Sequence, residues 1–558
     1  MNAKILAIHG LHDSSITFVD KNNQIRIFEY ERFCKKRYAP FTQEYTEYDD
    51  DYSSDLETKN NFLNYIKTQL KEEIEIILHS DLKPFDIEFL KEHFPNCKFI
   101  QMGHHMSHCS GAYYQSGFES ALCISLDGGG FDYKTPYDLG LRSYSIYKFE
   151  GKEIETIIHT NMDIPNKLSF NPGIYGSLGY YISEIKKDLK LDGKSIKNSL
   201  SYAGKVMGLA AYGEVRNEWV LPIENFYGYD PKEHWTNFDI IEKNLSEELG
   251  IELFENCFSE KDSYDLAATN QYVFEKLCFS FIKSYIDEYN LDVVFSGGCA
   301  LNVLFNQKLS EYLAQKSLKL YIPPHPGDCG LSYGHFVSFQ ELEFLSKEMR
   351  KFDSPYCGID IMDRDNITYY YKKYNNDGKV KISSIFDIVN LIKDGKIGGI
   401  IQGYSEVGPR ALGNRSIICD PSISDMKDII NSKVKFREWF RPFAPVCREV
   451  DKNIYFENAF PSEYMSFSPK VRERYRDLLP SITHEDGTAR LQTVTRDQHC
   501  LFYDILTELK NRNEISVIMN TSFNIKGKPI LTTLEDAFDV LENTELDFLV
   551  VENLLFLK

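Results

Sequence analysis

The chain begins with short apolar runs of five or six residues, separated by turns of small and polar residues. Runs of this length and β-branched content predict strands rather than helices. The pattern occurs in two blocks, and the predicted strands are residues 4–9, 15–19 and 25–30, then 121–126, 142–149 and 156–160. In each block a small-residue turn follows the first strand, GLHDSS in the first block and Gly128–Gly130 in the second.

A unit of strand, turn, strand and strand is therefore predicted twice. Duplication of this unit is the plan of the actin-like, sugar-kinase-like and Hsp70-like ATPase fold, in which the two turns face each other across a cleft and hold phosphates. Two unrelated β-meanders are the alternative interpretation of the same pattern.

Longer periodic segments predict helices at residues 60–79, 87–93, 264–288 and 385–395, although Ile74–Leu78 has the character of a strand. A chain of 558 residues is too long for a single core. Residues 346–380 are charged and tyrosine-rich with few apolar positions, so we place a domain boundary near residue 354. The predicted domains are residues 1–353 and 354–558, both of the α/β class.

The segment HHMSH predicts a metal site. His104 and His108 are four residues apart, so on a helix they share one face and can bind one ion, whereas His105 points elsewhere. A helix with solvated histidines is the alternative. Asp127 ends the buried strand that follows and precedes the glycines Gly128–Gly130, an arrangement by which nucleotide-binding folds meet a metal or phosphate.

Three later segments extend this predicted site. A buried strand runs into Ser296, Gly297, Gly298 and Asn302, the pattern of a nucleotide-binding turn whose helix amides can contact an anion. The loop PGDCG brings Asp328 back to the same region as a third ligand for the ion of the two histidines. Lys205, in the glycine-punctuated segment GKVMGLAAYG, is predicted to lie in a turn and to contact an anion or substrate.

The C-terminal third concentrates positive side chains next to Gly, Ser and Asn. In a chain with a formal charge of −20, such a cluster predicts a concave phosphate site, and surface salt bridging is the alternative. The residues concerned are Arg410, Arg415, Lys433, Lys435, Arg437, Arg441, Arg490 and Arg496, with Asn520–Asn524 ending a nearby strand.

Composition limits the classes of partner. The net charge of −20 argues against wrapping of DNA or binding to an anionic membrane, although it allows a local basic pocket. The 12 cysteines form no CxxC pair, which favours reduced thiols in a cytoplasmic protein. The N-terminus is expected to be a first strand rather than a signal peptide, and no apolar run approaches the ~20 residues of a membrane span.

Taken together, these motifs resemble the O-carbamoyltransferase family of antibiotic and nodulation-factor biosynthesis. The matching segments occur in the family's order over nearly the whole chain. They are GLHDSS, ERF, HHMSH, SLDGGG, GKVMGLAAYG, SGGCALN, PGDCG, GPRALGNRS, KFREWFRPFAP, TARLQTV and NTSFN.

The resemblance implies an N-terminal Kae1-like domain of the actin-like ATPase (ASKHA) fold, fused to a C-terminal YrdC-like α/β domain. It implies that the YrdC-like domain makes carbamoyl-adenylate from carbamoyl phosphate and ATP, with Mg²⁺ accompanying ATP. The Kae1-like domain would hold the adenylate near a divalent metal, usually iron, and pass the carbamoyl group to an acceptor hydroxyl.

Residue roles follow from the same resemblance. His104, His108, Asp127 and Asp328 would be the metal ligands, His12 would lie at the transfer site as the base, and Lys205 would lie near the acceptor. The adenylate would be held by Ser296, Gly297, Gly298 and Asn302, with Gly128 and Gly129 beside it. Carbamoyl phosphate and ATP would be bound by Arg410, Arg415, Lys435, Arg437, Arg441, Arg496, Ser522 and Asn524.

Residues 38–100 depart from the family pattern, being short, acidic and aromatic, and such segments help to shape the acceptor pocket. A saccharide hydroxyl is the expected small-molecule acceptor. A hydroxymethylated pyrimidine, as a nucleotide or in DNA, is the alternative, with Lys35–Arg37 as a candidate basic strip. A tRNA threonylcarbamoylation enzyme and a non-catalytic actin-like scaffold are the other hypotheses, and the acidic charge disfavours the first of these.

Overall fold

The computed structural model describes residues 3–42, 55–133, 139–159, 171–182, 200–228, 245–250, 260–344 and 354–558. The strands are β1 Ile5–His9, β2 Ser15–Val19, β3 Ile25–Glu29, β4 Ile76–Ser80, β5 Lys98–Gln101, β6 Ser120–Tyr133, β7 Leu139–Glu150, β8 Glu153–His159, β9 Val293–Ser296, β10 Leu320–Tyr321, β11 Val380–Ile382, β12 Gly398–Ile401, β13 Arg415–Cys419, β14 Ala444–Arg448, β15 Gln492–Val494, β16 Val517–Ser522, β17 Phe548–Val551 and β18 Leu554–Leu557. The helices are α1 Tyr30–Cys34, α2 Leu56–Gln69, α3 Pro84–His93, α4 His104–Ser116, α5 Tyr202–Leu209, α6 Asn217–Tyr227, α7 Glu260–Tyr289, α8 Val303–Gln315, α9 Leu331–Phe344, α10 Ile367–Asn375, α11 Ile385–Lys393, α12 Met426–Ile429, α13 Lys452–Tyr455, α14 Glu473–Arg476, α15 Cys500–Asn511 and α16 Leu534–Asn543.

The first two sheets repeat one topology. The first has the order β3-β2-β1-β4-β5, and the second, read from its β8 edge, has the order β8-β7-β6-β9-β10. In each sheet the first three strands in the chain are antiparallel neighbours, and the fourth strand lies parallel to the first. The predicted repeat of strand units thus corresponds to two sheets of equal strand order. The remaining strands form a mixed eight-stranded sheet, β11-β18-β17-β12-β13-β16-β14-β15.

The helix predicted at residues 60–79 divides into two elements. Helix α2 ends at Gln69, and Ile76–Ser80 is strand β4, which lies parallel to β1. The apolar run there buries side chains on both faces of the sheet, which a strand does and a surface helix does not. Every described cysteine is a free thiol. None of the described helices is long and apolar enough to cross a membrane.

Two helices lie between the first two sheets and set the position of the site. Residues of α4, such as Cys109 and Ala112, share one buried apolar cluster with Ala7 of the first sheet, Ala121 of the second and Phe336 of α9. The side chains of this cluster are nearly all fully buried, so α4 is fixed from both sides. Its first turn, which carries the histidines, is therefore held at the edge of both sheets.

A buried arginine connects the first sheet to the loop that precedes β13. Arg32 is 1% exposed and pairs with Glu29 at 2.7 Å. Its guanidinium donates to the carbonyl oxygens of Glu406 and, at 2.6 Å, of Gly408. The amide of Gly408 in turn donates to Glu29 at 3.2 Å. The loop GPRALGN is thus anchored on the N-terminal half of the chain.

Gly408 provides a test of this anchoring. Its φ is +88°, and an added Cβ would lie 2.1 Å from the carbonyl oxygen of Pro324. The Gly408→Ala variant combines a left-handed backbone with a backbone clash, so we expect a loss of about 4 kcal/mol or more in the free energy of unfolding. Denaturant unfolding measures it. Gly378→Ala is the matched control, because its φ is +68° with no atom within 4 Å of the added Cβ, and we expect a loss of only about 1 kcal/mol.

Candidate metal centre and anion-binding cavity

Helix α4 brings its two histidines together with two distant carboxylates. One ligand atom each from His104, His108, Asp127 and Asp328 lies within 4.8 Å of all the others. The Nε2 atoms of the two histidines are 3.2 Å apart, as expected for positions i and i+4 on one helix face. His108 Nε2 is 3.3 Å from Asp127 Oδ2 and 3.4 Å from Asp328 Oδ1. The four predicted ligands therefore converge in one buried group.

The backbone around the carboxylates explains how they are positioned. Asp127 lies within β6 and accepts hydrogen bonds from the amides of Gly128, at 2.5 Å, and Gly298, at 2.7 Å. Gly128 lies inside β6, at its irregularity between Leu126 and Gly130, so the turn predicted at Gly128–Gly130 is part of the strand. Gly298 follows the neighbouring strand β9, and the two amides fix the carboxylate between β6 and β9. Gly130 leaves room for the imidazole ring of His104, since a Cβ at this position would lie 2.2 Å from the ring.

The electrostatics of this group suit a cation. Burial raises the pKa of Asp127, and so does Asp328, but His108 and His104 outweigh them and lower this pKa to about 2. Burial lowers the pKa of His104, yet the Asp328 carboxylate and its neighbours raise it to about 10. The two carboxylates therefore favour positive charge in this group. A divalent cation supplies that charge and leaves the imidazoles neutral, as ligands must be.

The donor set fits a transition metal. Two imidazole nitrogens and two carboxylate oxygens are the ligands that Fe²⁺, Zn²⁺ and related divalent ions accept, whereas Mg²⁺ and Ca²⁺ prefer oxygen alone. All four side chains are buried, with between 2% and 10% of their surface exposed. The group therefore differs from an exposed acidic cluster, which commonly binds no ion.

His12 lies beside the four ligands. Its Nε2 is 3.5 Å from Asp328 Oδ2, and its Nδ1 is 3.1 Å from Asp13 Oδ2. Burial lowers the pKa of His12, but Asp328 and Asp13 outweigh burial and raise it to about 9. The side chain is 27% exposed and lines the main cavity, so a substrate can reach it.

A second group of residues gathers positive charge with few carboxylates. Arg410, Arg437 and Arg490 line the cavity, and no carboxylate of the described ranges lies within 4 Å of their guanidinium nitrogens. Burial lowers the pKa of Arg410 to about 10, with the Arg441 charge adding to the effect. Burial and the other arginines also lower the pKa of Arg490, whose Nε is buried and unpartnered. Side chains with these properties favour an anion.

Lys435 extends this cationic group toward β16. Its ammonium donates to Ser522 O at 2.5 Å, to Ser522 Oγ at 3.1 Å and to Asn524 Oδ1 at 2.6 Å. Burial and the charges of Arg437 and Arg441 lower its pKa well below the ordinary value. The predicted residues Lys435, Ser522 and Asn524 thus form one hydrogen-bonded unit at the cavity wall.

One cavity of about 950 Å³ joins the two groups. Its lining includes His12, Asp127 and Asp328 at the metal group and Arg410 and Arg490 at the cationic group. Gly128, Gly129, Gly298 and Asn302, which were predicted to lie beside the adenylate, also line it. The cavity is therefore the feature that the sequence-predicted sites share.

Apart from His104 and His108 of the metal group, four residues to which the resemblance gave a role do not line this cavity. Arg415 is fully buried and donates to three backbone carbonyls, those of Gln402, Gly403 and Asn414, so it braces the loop instead of binding a ligand. The side chain of Arg496 is 66% exposed and pairs with Asp504 at 3.4 Å. These two assignments are corrected here.

Ser296 and Gly297 support the site from behind. Ser296 is 1% exposed, at the buried end of β9. A Cβ at Gly297 would lie 2.2 Å from the carbonyl oxygen of Leu126, so this glycine allows β9 to approach β6 closely. Neither contacts the cavity, and the direct lining comes from Gly298 and Asn302.

Lys205 lies in helix α5, not in the predicted turn. Its ammonium pairs with Glu438 at 2.6 Å, and both side chains are more than 90% buried. Glu438 also faces Arg441 at 3.6 Å. Since Lys205 lines the cavity from the N-terminal half and Glu438 from the C-terminal half, this ion pair connects the two halves at the cavity wall.

Two sets of lining residues were not assigned to the site from sequence. Arg490 belonged to the predicted cluster, yet the resemblance led to Arg496 as the ligand, and the structure places Arg490 at the cavity. The run Lys35–Arg37, considered as a strip for DNA, also lines the cavity, where Lys35 pairs with Asp536. The signal for both was the high local density of positive charge in an acidic chain.

Comparison with known proteins identifies the family. The model described as "Carbamoyltransferase N-terminus" matches residues 39–336, and the model described as "Carbamoyltransferase C-terminus" matches residues 389–558. The chain belongs to the carbamoyltransferase family. The predicted resemblance is therefore confirmed, and this carbamoyltransferase is an enzyme.

Relatives of the carbamoyltransferase include two nodulation proteins. NolNO of Sinorhizobium fredii is 31% identical over 468 residues, covering 82% of this chain and 64% of its own. NolO of Bradyrhizobium diazoefficiens is 30% identical over 472 residues, covering 82% and 79%. Among solved structures, full-length HypF in its phosphate- and nucleotide-bound form is 14% identical with a TM-score of 0.37, and the match covers 62% of this chain and 56% of that one.

Proposed function

We propose that the enzyme makes carbamoyl-adenylate from carbamoyl phosphate and ATP at the cationic group, and then transfers the carbamoyl group to an acceptor hydroxyl at the metal group. The observation that carries this proposal is one cavity. It has guanidiniums without a carboxylate partner in the described ranges at one end, and Asp127 and Asp328, two of the four convergent metal ligands, at the other. Membership of the carbamoyltransferase family supplies the group that is transferred.

We also propose that residues 1–353 form a Kae1-like domain of the actin-like ATPase fold and that residues 354–558 form a YrdC-like domain. The equal strand order of the first two sheets supports the first assignment. The eight-stranded mixed sheet with its cationic loops supports the second. Residues of both domains line the cavity, so neither domain forms the whole site alone.

The first half-reaction brings anions together. Carbamoyl phosphate reacts with water to give carbamate and phosphate, and a carbamate oxygen then attacks the α-phosphorus of ATP, which releases pyrophosphate. Arg410, Arg437 and Arg490 lower the repulsion between these anions because no carboxylate in the described part of the chain forms an ion pair with them. Lys435 presents a charge that is oriented by Ser522 and Asn524. None of these groups acts as a nucleophile.

The second half-reaction is attack by an alcohol on the carbamoyl carbon, with AMP as the leaving group. His12 is positioned to accept the alcohol proton, because its ring lies at the cavity wall and Asp13 orients its Nδ1. It would act as a base with a cation at the metal group, since a cation offsets the Asp328 charge that raises the pKa of His12. His104, His108, Asp127 and Asp328 would hold the divalent metal, for which iron is our proposal. When bound, this metal supplies Lewis acidity toward the carbamoyl oxygen.

A small molecule is the proposed acceptor, and a saccharide is favoured. Two of the relatives are named as nodulation proteins, in keeping with a small-molecule acceptor. The run Lys35–Arg37 lines the cavity, so its charge lies beside the small substrates proposed there. The threonylcarbamoylation and scaffold hypotheses gain no support from this arrangement.

The test is a product analysis. We expect the full chain, incubated with labelled carbamoyl phosphate and ATP, to release AMP and pyrophosphate once a hydroxylated sugar from a screening panel is present. Mass spectrometry of the panel should show the gain of one carbamoyl group. Release of ADP without AMP, or turnover that requires threonine and tRNA, would contradict the proposal.

A further inference from the structure

Behind the metal group, a buried carboxylate faces a ligand histidine. His104 directs Nε2 toward His108 and Asp328, so its Nδ1 is on the far side of the ring. This Nδ1 is buried and has no hydrogen-bond partner among the described residues. Asp81 Oδ2, also buried and unpartnered, lies 3.9 Å from it. A potential donor and a potential acceptor therefore face each other without yet forming a bond.

Metal binding by His104 would turn the facing His104 Nδ1 and Asp81 Oδ2 into a hydrogen-bond donor and acceptor. A neutral imidazole that binds an ion through Nε2 carries its only proton on Nδ1. A buried N–H without an acceptor costs about 1–3 kcal/mol, so ligand histidines normally donate this proton to a carboxylate or carbonyl. No lysine or arginine within the described ranges pairs with Asp81, and its neighbours at salt-bridge distance are His104 and His9. Its charge is thus directed at the metal group.

The fold places Asp81 there at the cost of an unusual backbone. Asp81 follows β4 directly and has a φ of +59°, in the left-handed region that few residues other than glycine adopt. Gly10, at the end of the parallel neighbour β1, makes this possible, since a Cβ on it would lie 2.8 Å from the Asp81 carbonyl oxygen. A buried charge on a residue with an unfavourable backbone conformation indicates a functional role for that residue.

His9 links the same carboxylate to a second ligand. Its Nδ1 is 3.6 Å from Asp81 Oδ2 and its Nε2 is 3.5 Å from Asp328 Oδ2. Ser80 Oγ lies 3.0 Å from His9 Nδ1 and fixes the ring. Asp81 therefore faces the ligand His104 directly, and His9 lies between Asp81 and the second ligand, Asp328.

We propose that Asp81 is a positioning residue of the metal centre, which accepts the Nδ1 proton of His104 and so fixes Nε2 toward the ion. The proposal rests on the proposed metal site of His104, His108, Asp127 and Asp328. It adds a residue that contacts neither ion nor substrate and that acts by setting the tautomer and orientation of a ligand.

The test uses two substitutions that keep the left-handed backbone. Asp81→Gly removes the carboxylate, and glycine adopts the positive φ without backbone strain. Asp81→Asn retains the backbone preference and one acceptor oxygen. The full-length protein, freed of metal by a chelator, is titrated with Co²⁺ by its visible spectrum and with Fe²⁺ without oxygen in competition with a chelator.

We expect Asp81→Gly to weaken binding of both ions by about 10- to 100-fold. Asp81→Asn should lie between this variant and the wild type and should restore the Co²⁺ spectrum. The matched control is Asn23→Gly, which makes the same kind of change at a φ of +63° in a distant turn and should leave ion affinity unchanged. Release of pyrophosphate in the first half-reaction should be the same in all variants.

Three results would overturn the proposal. Ion affinity of Asp81→Gly within twofold of the wild type would refute it and leave the metal centre intact. An equal loss of affinity in Asn23→Gly would show a general effect of backbone flexibility. If the wild type bound neither ion, the metal centre itself would be refuted, and the role of Asp81 with it.

Discussion

The His108→Ala variant should lose carbamoyl transfer by about 1,000-fold while retaining the first half-reaction. His108 Nε2 lies within 3.4 Å of both carboxylates of the metal group, so its removal takes away the central ligand and should weaken ion binding. We expect a loss of this size because both the polarisation of the carbamoyl group and its orientation depend on the bound ion. The cationic group, at the other end of the cavity, is unchanged.

The measurement separates the two half-reactions. Exchange of labelled pyrophosphate into ATP in the presence of carbamoyl phosphate reports adenylate formation, and acceptor carbamoylation reports transfer. His105→Gln is the control on the same helix, because His105 lies close to the carbonyl oxygen of Arg142 and does not belong to the ligand group. Equal loss of exchange and transfer in His108→Ala would disprove the division of labour between the two ends.

The Arg410→Ala variant should lower adenylate formation by about 1,000-fold, the scale at which a single arginine stabilises charge in phosphoryl transfer. Arg410 lines the cavity, has no carboxylate partner in the described part of the chain, and lies near Arg441 and Arg490. Its loss leaves the repulsion between carbamate and ATP only partly balanced. Transfer should fall by the same factor, since its substrate is no longer made.

Arg496→Ala provides the contrast in pyrophosphate exchange. Its guanidinium is mostly exposed and outside the cavity, so exchange should stay within twofold of the wild type. Co²⁺ binding should be normal in both variants, which shows that the metal end is intact. A fall in exchange for Arg496→Ala as large as for Arg410→Ala would contradict the placement of the anion site.

Local sequence patterns were sufficient for much of the fold. Strands β1 and β2 have apolar runs whose ends are marked by small residues, and their predicted limits agree with the observed ones within one residue. The spacing of His104 and His108 defines a shared helix face without any tertiary information. Asp328 was predicted to join the metal group because the strand before its loop returns the chain to that region. In the structure Asp328 lies with the other three ligands.

Other features depend on tertiary contacts that no local pattern encodes. Arg410 and Arg415 flank the same Gly-Asn pair, yet one lines the cavity and the other bonds to backbone carbonyls. Lys205 lies among glycines that suggest a turn, but the packing of Val206 and Leu209 in the core stabilises a helix. Asp81 belongs to no motif, because its importance comes from the approach of a strand end to the start of α4.

The shared cavity has a consequence for an unstable mixed anhydride. One molecule confined in about 950 Å³ has a local concentration on the order of 1 M. In the proposed mechanism the adenylate reaches the metal group without leaving this cavity, which shortens the time available for its hydrolysis. Transfer near His12 then resembles an intramolecular reaction. The amount of carbamoylated acceptor formed per ATP would depend on how long the acceptor stays bound in the cavity, and not on diffusion of the adenylate between two separate sites.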